Sequence, residues 1–230
     1  MKDFEPQRRP SVLVVQARTD QNRARAEQEG MRALAEQAEV ALAFVNPLTE
    51  DTHNWANPKA MLTGKFGMLM TGSSNVDLTL ATPARARYLA QATSLTRQAI
   101  REGSRMIDPL PVAGICLGHQ MIHQTAGGIV ERSPVHAEIG TGEVRLTSDG
   151  LQDSYLVDVP LQRDGNRRNV IFAHNETVTR MASGFDVLGA TERDPYSITR
   201  NRGIFTTQGH PEITDPTNLR LVVEQTTVTK

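Results

Sequence analysis

Only one cysteine, Cys116, occurs in the 230-residue chain. A lone thiol closes no internal disulfide, which fits a reducing compartment. No apolar run approaches the roughly 20 residues that a membrane-spanning helix needs. The opening residues Met1-Lys2-Asp3-Phe4-Glu5-Pro6 have no apolar stretch of the kind that marks a secretory signal, so a cytoplasmic protein is expected. Excess charge is missing too. Lys and Arg total 25 against 26 Asp and Glu, a net charge of -1. That balance gives no electrostatic reason to bind nucleic acid or an anionic membrane. Internal repeats, low-complexity blocks and linker-like stretches are absent, so residues 1–230 are expected to form a single domain. What is present suffices for a folded globule: 38% of residues are hydrophobic and 22% charged.

The apolar run Ser11-Val12-Leu13-Val14-Val15-Gln16 suits a strand buried on both faces. Asp20 is placed to cap a helix over 21–38, a stretch of good helix formers. Val40 to Val45 reads as a second strand. Residues 46–57 are polar and read as a loop, with His53 and Trp55 part of a surface segment. Phe66 to Met70 is a third strand that runs into Thr71-Gly72-Ser73-Ser74. Small residues at that edge are where open α/β sheets offer backbone to a ligand. Residues 83–102 predict a helix with Gly103 as its C-cap. A fourth strand follows from Pro111. This alternation predicts an α/β fold, an open, mostly parallel sheet with helices on both faces. Beyond Gly127-Gly128 the runs shorten and gain Thr, Val and Gly, with strands such as Glu143-Val144-Arg145-Leu146-Thr147, which suggests a small antiparallel addition over 129–160. The charged stretch 163–169 reads as an exposed turn. Residues 170–173, 186–190 and 204–207 read as strands, and 218–224 as a helix.

The segment Gly114-Ile115-Cys116-Leu117-Gly118-His119-Gln120 reads as strand, tight turn and helix. Glycine on both sides of a potential nucleophile fits a sharp strand-to-helix turn, where flanking backbones crowd each other. The free N–H groups of the following helix favour a thiolate. A lone cysteine in an apolar segment is more often a small buried hydrophobe. The glycine frame, with Gln208-Gly209-His210-Pro211-Glu212 near the other end of the chain, reverses those odds. A cysteine nucleophile needs a base, and the base needs an orienting acceptor. His210 and Glu212 supply both, two residues apart, on the same side of an extended or turn segment.

These two motifs resemble those of the class I glutamine amidotransferases, and within them the stand-alone proteins similar to the amidotransferase domain of GMP synthetase. Thr71-Gly72-Ser73, Glu138-Ile139-Gly140 and His174-Asn175-Glu176-Thr177-Val178 agree in order and spacing, so the likeness runs from about Val12 to Glu212. The resemblance implies a flavodoxin-like fold and hydrolysis of the glutamine side-chain amide through a Cys116–His210–Glu212 triad and a γ-glutamyl thioester. It implies an oxyanion hole from the N–H groups of Gly72 and Leu117, and contacts to glutamine from Gln120, Asn175 and Glu176. It implies no cofactor and no metal, and an ammonia-accepting synthetase as a separate partner. Nothing resembling that synthetase's ATP-using loop occurs here, so the polypeptide is not expected to make GMP alone. This chain has Thr71-Gly72 where many relatives have Gly-Gly, Glu176 where many have aspartate, and Ala137 where many have arginine.

Hydrolysis of γ-glutamyl peptides by the same three residues is the alternative activity, and a non-catalytic binding or redox-sensing protein on the same scaffold a distant third. His119 and His123 share one helical face. Position 120 is Gln rather than the glutamate of a zinc protease, and no third ligand suggests itself, so a packed role is expected. His136 and His174 are expected to be structural, with His174 steadying the loop near the substrate.

Overall fold

The computed structural model describes residues 9–49, 55–156 and 165–213. His53 and the helix expected over 218–224 lie outside the described residues. In chain order the elements are β1 (Ser11–Val15), α1 (Gln21–Gln37), β2 (Ala41–Val45), α2 (Pro58–Leu62), β3 (Gly67–Met70), α3 (Pro83–Gly103), β4 (Val112–Ile115) and α4 (Leu117–Thr125). They continue with β5 (Ile129–Arg132), β6 (Glu138–Leu146), α5 (Ser148–Gln152), β7 (Arg167–His174), β8 (Glu176–Arg180), β9 (Asp186–Ala190), β10 (Ile198–Asn201) and β11 (Ile204–Thr207).

Nine strands form one sheet in the order β2-β1-β3-β4-β11-β10-β9-β6-β7. The strands from β2 to β11 run parallel. From β11 onward the pairing is antiparallel, giving a wing of β10, β9, β6 and β7. Strands β5 and β8 pair separately as a two-stranded antiparallel sheet. The chain steps one way from β1 to β2 and the other way from β3 to β4. Right-handed crossovers therefore place α1 and α3 on opposite faces. Helices α2 and α4 both pack against α3 and share its face.

Local chemistry accounts for the helix starts. The Asp20 carboxylate accepts from the N–H groups of Asn22 and Arg23 at 2.8 and 3.0 Å, and the Thr82 hydroxyl accepts from Arg85 N–H at 3.1 Å, with Pro83 next to it in the first turn. Gly103 serves differently from the sequence expectation. It is the last residue of α3, not a left-handed cap, and a Cβ there would lie 2.6 Å from Ile204 and 3.2 Å from Val112. Its absent side chain lets α3 approach the sheet. The stretch read as an exposed turn is partly strand: Arg167–Asn169 open β7, and the Arg168 side chain is buried, with its guanidinium donating to the Leu156 carbonyl at 2.5 Å. Trp55 is buried in the main core rather than on the surface.

The main core lies between the parallel strands and their helices, with Leu13, Val15, Met68, Met70, Leu95 and Ile122 among its members. A second, smaller core of Val144, Leu146, Leu156, Phe172, Leu188 and Ile198 sits beneath the wing. No helix among the described residues is long and apolar enough to cross a membrane.

Candidate active site

Three adjacent parallel strands converge on one spot. In the sheet Met70 of β3 and Thr206 of β11 both pair with Gly114 of β4. The chain just past each C-terminus carries, side by side, Gly72, Cys116 and the turn from Gln208 to His210. Such a set of strand ends is where open α/β sheets bind ligands.

Cys116 occupies the turn between β4 and α4 with φ 52° and ψ -104°, a conformation rare for a residue with a side chain. The turn closes only because its neighbours are small. A Cβ on Gly114 would lie 2.8 Å from the Gly118 carbonyl, and one on Gly118 would run into the Met70 carbonyl. A Cβ on Gly72 would lie 2.8 Å from His210 Cε1 and 3.3 Å from Cys116 Cβ, which puts these three residues in one another's reach. Leu117 opens α4, so its N–H has no acceptor within the helix.

His210 is buried, and its backbone N–H is tied to the Ile171 carbonyl of β7 at 2.7 Å. Its Nδ1 lies 2.8 Å from Glu212 Oε1. A carboxylate only accepts, so Nδ1 carries the proton and Nε2 is left for the sulfur. Burial pulls the imidazole pKa down most strongly of any single influence. The charge of Cys116, its hydrogen bond and the Glu212 carboxylate together outweigh that and hold the ring up at about 10. The arrangement supports an imidazolium at His210.

A pocket of about 300 Å³ opens over these groups, lined by Cys116, His210, Leu117, Gln120, Asn175 and Glu176, with Arg18, Ser73, Asp77 and Arg132 toward its mouth. Gln120 spends its amide hydrogens inside the protein, on the Glu176 carbonyl at 2.6 Å and Gln208 Oε1 at 3.0 Å. Only its amide oxygen is left for a ligand. The Glu176 carboxylate is committed as well: it accepts from Leu78 N–H at 2.6 Å, Thr79 N–H at 2.8 Å and the Thr79 hydroxyl. It holds the pocket wall in place. The charged pair missed by the sequence reading is Asp77 and Arg132, 3.4 Å apart and both part-exposed at the mouth. No local motif marks them, because 55 residues separate them. Partial burial and then the nearby Glu176 raise the Asp77 pKa, against a smaller downward pull from Arg132.

Behind the elbow, His119 and His123 face away from the pocket into the core. His119 Nδ1 lies 2.8 Å from Thr206 Oγ1, and His123 Nε2 lies 2.9 Å from Thr199 Oγ1. The two threonine hydroxyls meet at 2.7 Å. Burial depresses both imidazoles, His123 to about 4, so they remain neutral.

Residues 86–227 match the family model for glutamine amidotransferase class-I. The chain is 34% identical over 119 residues to a glutamine-hydrolysing GMP synthase of Dinoroseobacter shibae, covering 50% of this chain and 22% of that protein. It is 30% identical over 156 residues to one from Edwardsiella ictaluri, covering 64% and 25%. It therefore spans about a quarter or less of the length of these relatives. Among solved structures, a Thermoplasma acidophilum protein named for a subunit of GMP synthase has a TM-score of 0.66 at 18% identity, covering 96% of this chain and 94% of that one. A glutamine amidotransferase of Thermotoga maritima has a TM-score of 0.67 at 16% identity, covering 96% and 93%. These two likenesses bear on the fold. The family model, matched along most of the chain and across both site motifs, bears on kinship: the chain belongs to the class I glutamine amidotransferases.

Proposed function

We propose that the protein hydrolyses the side-chain amide of glutamine and passes the ammonia to a separate synthetase. The observation that carries this reading is the convergence of Cys116 and His210, from two distant segments, on one pocket, with Glu212 holding the other ring nitrogen of His210. The Cys116 thiolate attacks the amide carbon. The resulting oxyanion is held by the N–H groups of Leu117 and Gly72, each such donor being worth roughly 3–4 kcal/mol when preorganised. His210, held as the imidazolium, gives its Nε2 proton to the amide nitrogen, which leaves as ammonia. Thioester formation removes the thiolate charge that had raised the imidazole pKa. The neutral ring then takes a proton from water. Hydroxide adds to the thioester, glutamate departs, and the thiolate returns.

At the other end of the substrate, Asp77 and Arg132 suit the α-ammonium and α-carboxylate. Gln120 Oε1 and Asn175 line the space between. The pocket volume is at the small end for ligand sites, which favours an amino acid over a peptide and ranks glutamine above γ-glutamyl peptides. Relatedness to GMP synthases makes an ammonia-consuming nucleotide-forming enzyme the favoured partner.

The test is labelling with an electrophilic glutamine analogue, followed by peptide mapping and by kinetics with glutamine and a γ-glutamyl dipeptide. Stoichiometric modification of Cys116, slowed by glutamine, and a higher kcat/KM for glutamine are expected. Modification elsewhere, or a preference for the dipeptide, overturns the reading.

A further inference from the structure

A second cluster of ionisable groups adjoins the pocket through His174, one of its lining residues, and plays no part in the chemistry above. Glu138 stands at the start of β6, His174 at the end of β7, and Asp194 in the turn before β10. Their ligating atoms, one per residue, all lie within 4.8 Å of one another. His174 and Asp194 are almost wholly buried, at 4% and 0% exposure.

The hydrogen bonds around the cluster leave its inward atoms without partners. His174 Nδ1 lies 3.0 Å from the Glu176 carbonyl. A carbonyl only accepts, so Nδ1 carries a proton, and Nε2 is the nitrogen left to offer a lone pair to a metal ion. That nitrogen has no hydrogen bond and lies 3.4 Å from Glu138 Oε2. A charge-assisted hydrogen bond would bring the two to about 2.7–2.9 Å. The longer spacing is that of two ligands each about 2.0–2.1 Å from one tetrahedral ion. Glu138 Oε2 is itself steadied by the Thr191 hydroxyl at 3.1 Å. Asp194 uses one oxygen to accept Tyr196 N–H at 3.0 Å, while the other is buried with the Thr177 hydroxyl as a polar neighbour and no well-formed hydrogen bond between them. The backbone acceptor on Nδ1 and the hydroxyl on Glu138 are the supporting contacts that orient metal ligands.

We propose that Glu138, His174 and Asp194 bind one divalent transition-metal ion of the zinc type. Two carboxylates and one neutral imidazole balance a charge of two and suit zinc, cobalt or manganese. Calcium needs six to eight oxygen ligands, and magnesium binds through oxygens and water. The ion's role is structural. It ties three chain segments together at the pocket wall that His174 helps to line, and takes no part in the reaction. The proposal stands independently of the glutaminase reading, and it revises the expectation that the protein holds no metal.

The test uses the full chain carrying Cys116→Ser, so that the pocket thiolate captures no metal. The protein is stripped with a chelator and titrated with zinc chloride, with metal content measured after gel filtration, and then with cobalt chloride followed by visible absorption. One equivalent of zinc per chain is expected, with cobalt bands of a nitrogen–oxygen site. Saturating zinc should raise the melting temperature by about 5 °C. The isosteric changes Glu138→Gln and Asp194→Asn should each weaken zinc binding more than about tenfold and remove the melting shift. Loss of zinc during gel filtration by the parent, or retention of equal affinity by both variants, overturns the proposal.

Discussion

Three residues beside the sulfur make separable predictions. Glu212→Gln removes the negative charge that steadies the His210 imidazolium, and kcat should fall about 10²-fold to 10⁴-fold with little change in KM. The pH dependence carries the sign. His210 holds its proton in the folded state up to about 10, against 6.5 for the free side chain. Its contribution to stability is therefore full below pH 6.5 and lost as the pH rises through about 10. The alkaline limb of kcat/KM, which reports the free enzyme, should lie near that upper value, and Glu212→Gln should move it to lower pH. A pH–rate profile of both proteins checks this. Gly72→Ala places a Cβ 2.8 Å from His210 Cε1 and 3.3 Å from Cys116 Cβ. The ring must shift, so kcat should drop at least about 10²-fold while the melting temperature changes little. Asp77→Asn should raise KM for glutamine several-fold and leave kcat nearly unchanged. Steady-state assays with glutaramate, which lacks the α-amino group, should show no such change between the two proteins.

At the scale of elements, the wall formed by residues 76–80 hangs on Glu176 of β8, which accepts two N–H groups and a hydroxyl from Leu78 and Thr79. Glu176→Ala should therefore raise KM, because Asp77 loses its anchor, and lower stability by several kcal/mol through the orphaned donors. Glutamine kinetics and a denaturant titration read the two effects. The N-cap of α3 offers a contrast: Thr82→Ala should lower stability by about 1 kcal/mol, a fall of about 2–4 °C in melting temperature, without touching kcat. The parallel half of the sheet was legible in the sequence because its strands are continuous apolar runs separated by strong helix formers, as in Ser11–Val15 and Gln21–Gln37. The wing was less so. Strand β6 has only two buried residues in nine, Val144 and Leu146, so only its end was legible as a strand, and β10 (Ile198–Asn201) is carried by Thr, Arg and Asn. Cys116, His210 and Glu212 were legible through dense local motifs. Asp77 with Arg132, and Glu138 with His174 and Asp194, are brought together only by the sheet, and short-range spacing holds no trace of them.

For the molecule as a whole, the wing reaches into the chemistry. His210 is pinned to β7 through the Ile171 carbonyl, and Gly209 packs on Phe172, whose ring would lie 3.1 Å from a Cβ placed there. Phe172 is the largest fully buried side chain of the second core. Phe172→Ala should thus cost about 3–5 kcal/mol and also reduce kcat, because the histidine loses its seat. Chemical unfolding and turnover of the same preparation test both halves. The backbone at Cys116 has a broader meaning. With φ at 52°, that position is one where glycine would be more comfortable than any residue able to attack a carbonyl. Cys116→Gly should yield an inert protein that melts above Cys116→Ala. A chain with no need for turnover would then gain durability by exchanging this one residue for glycine.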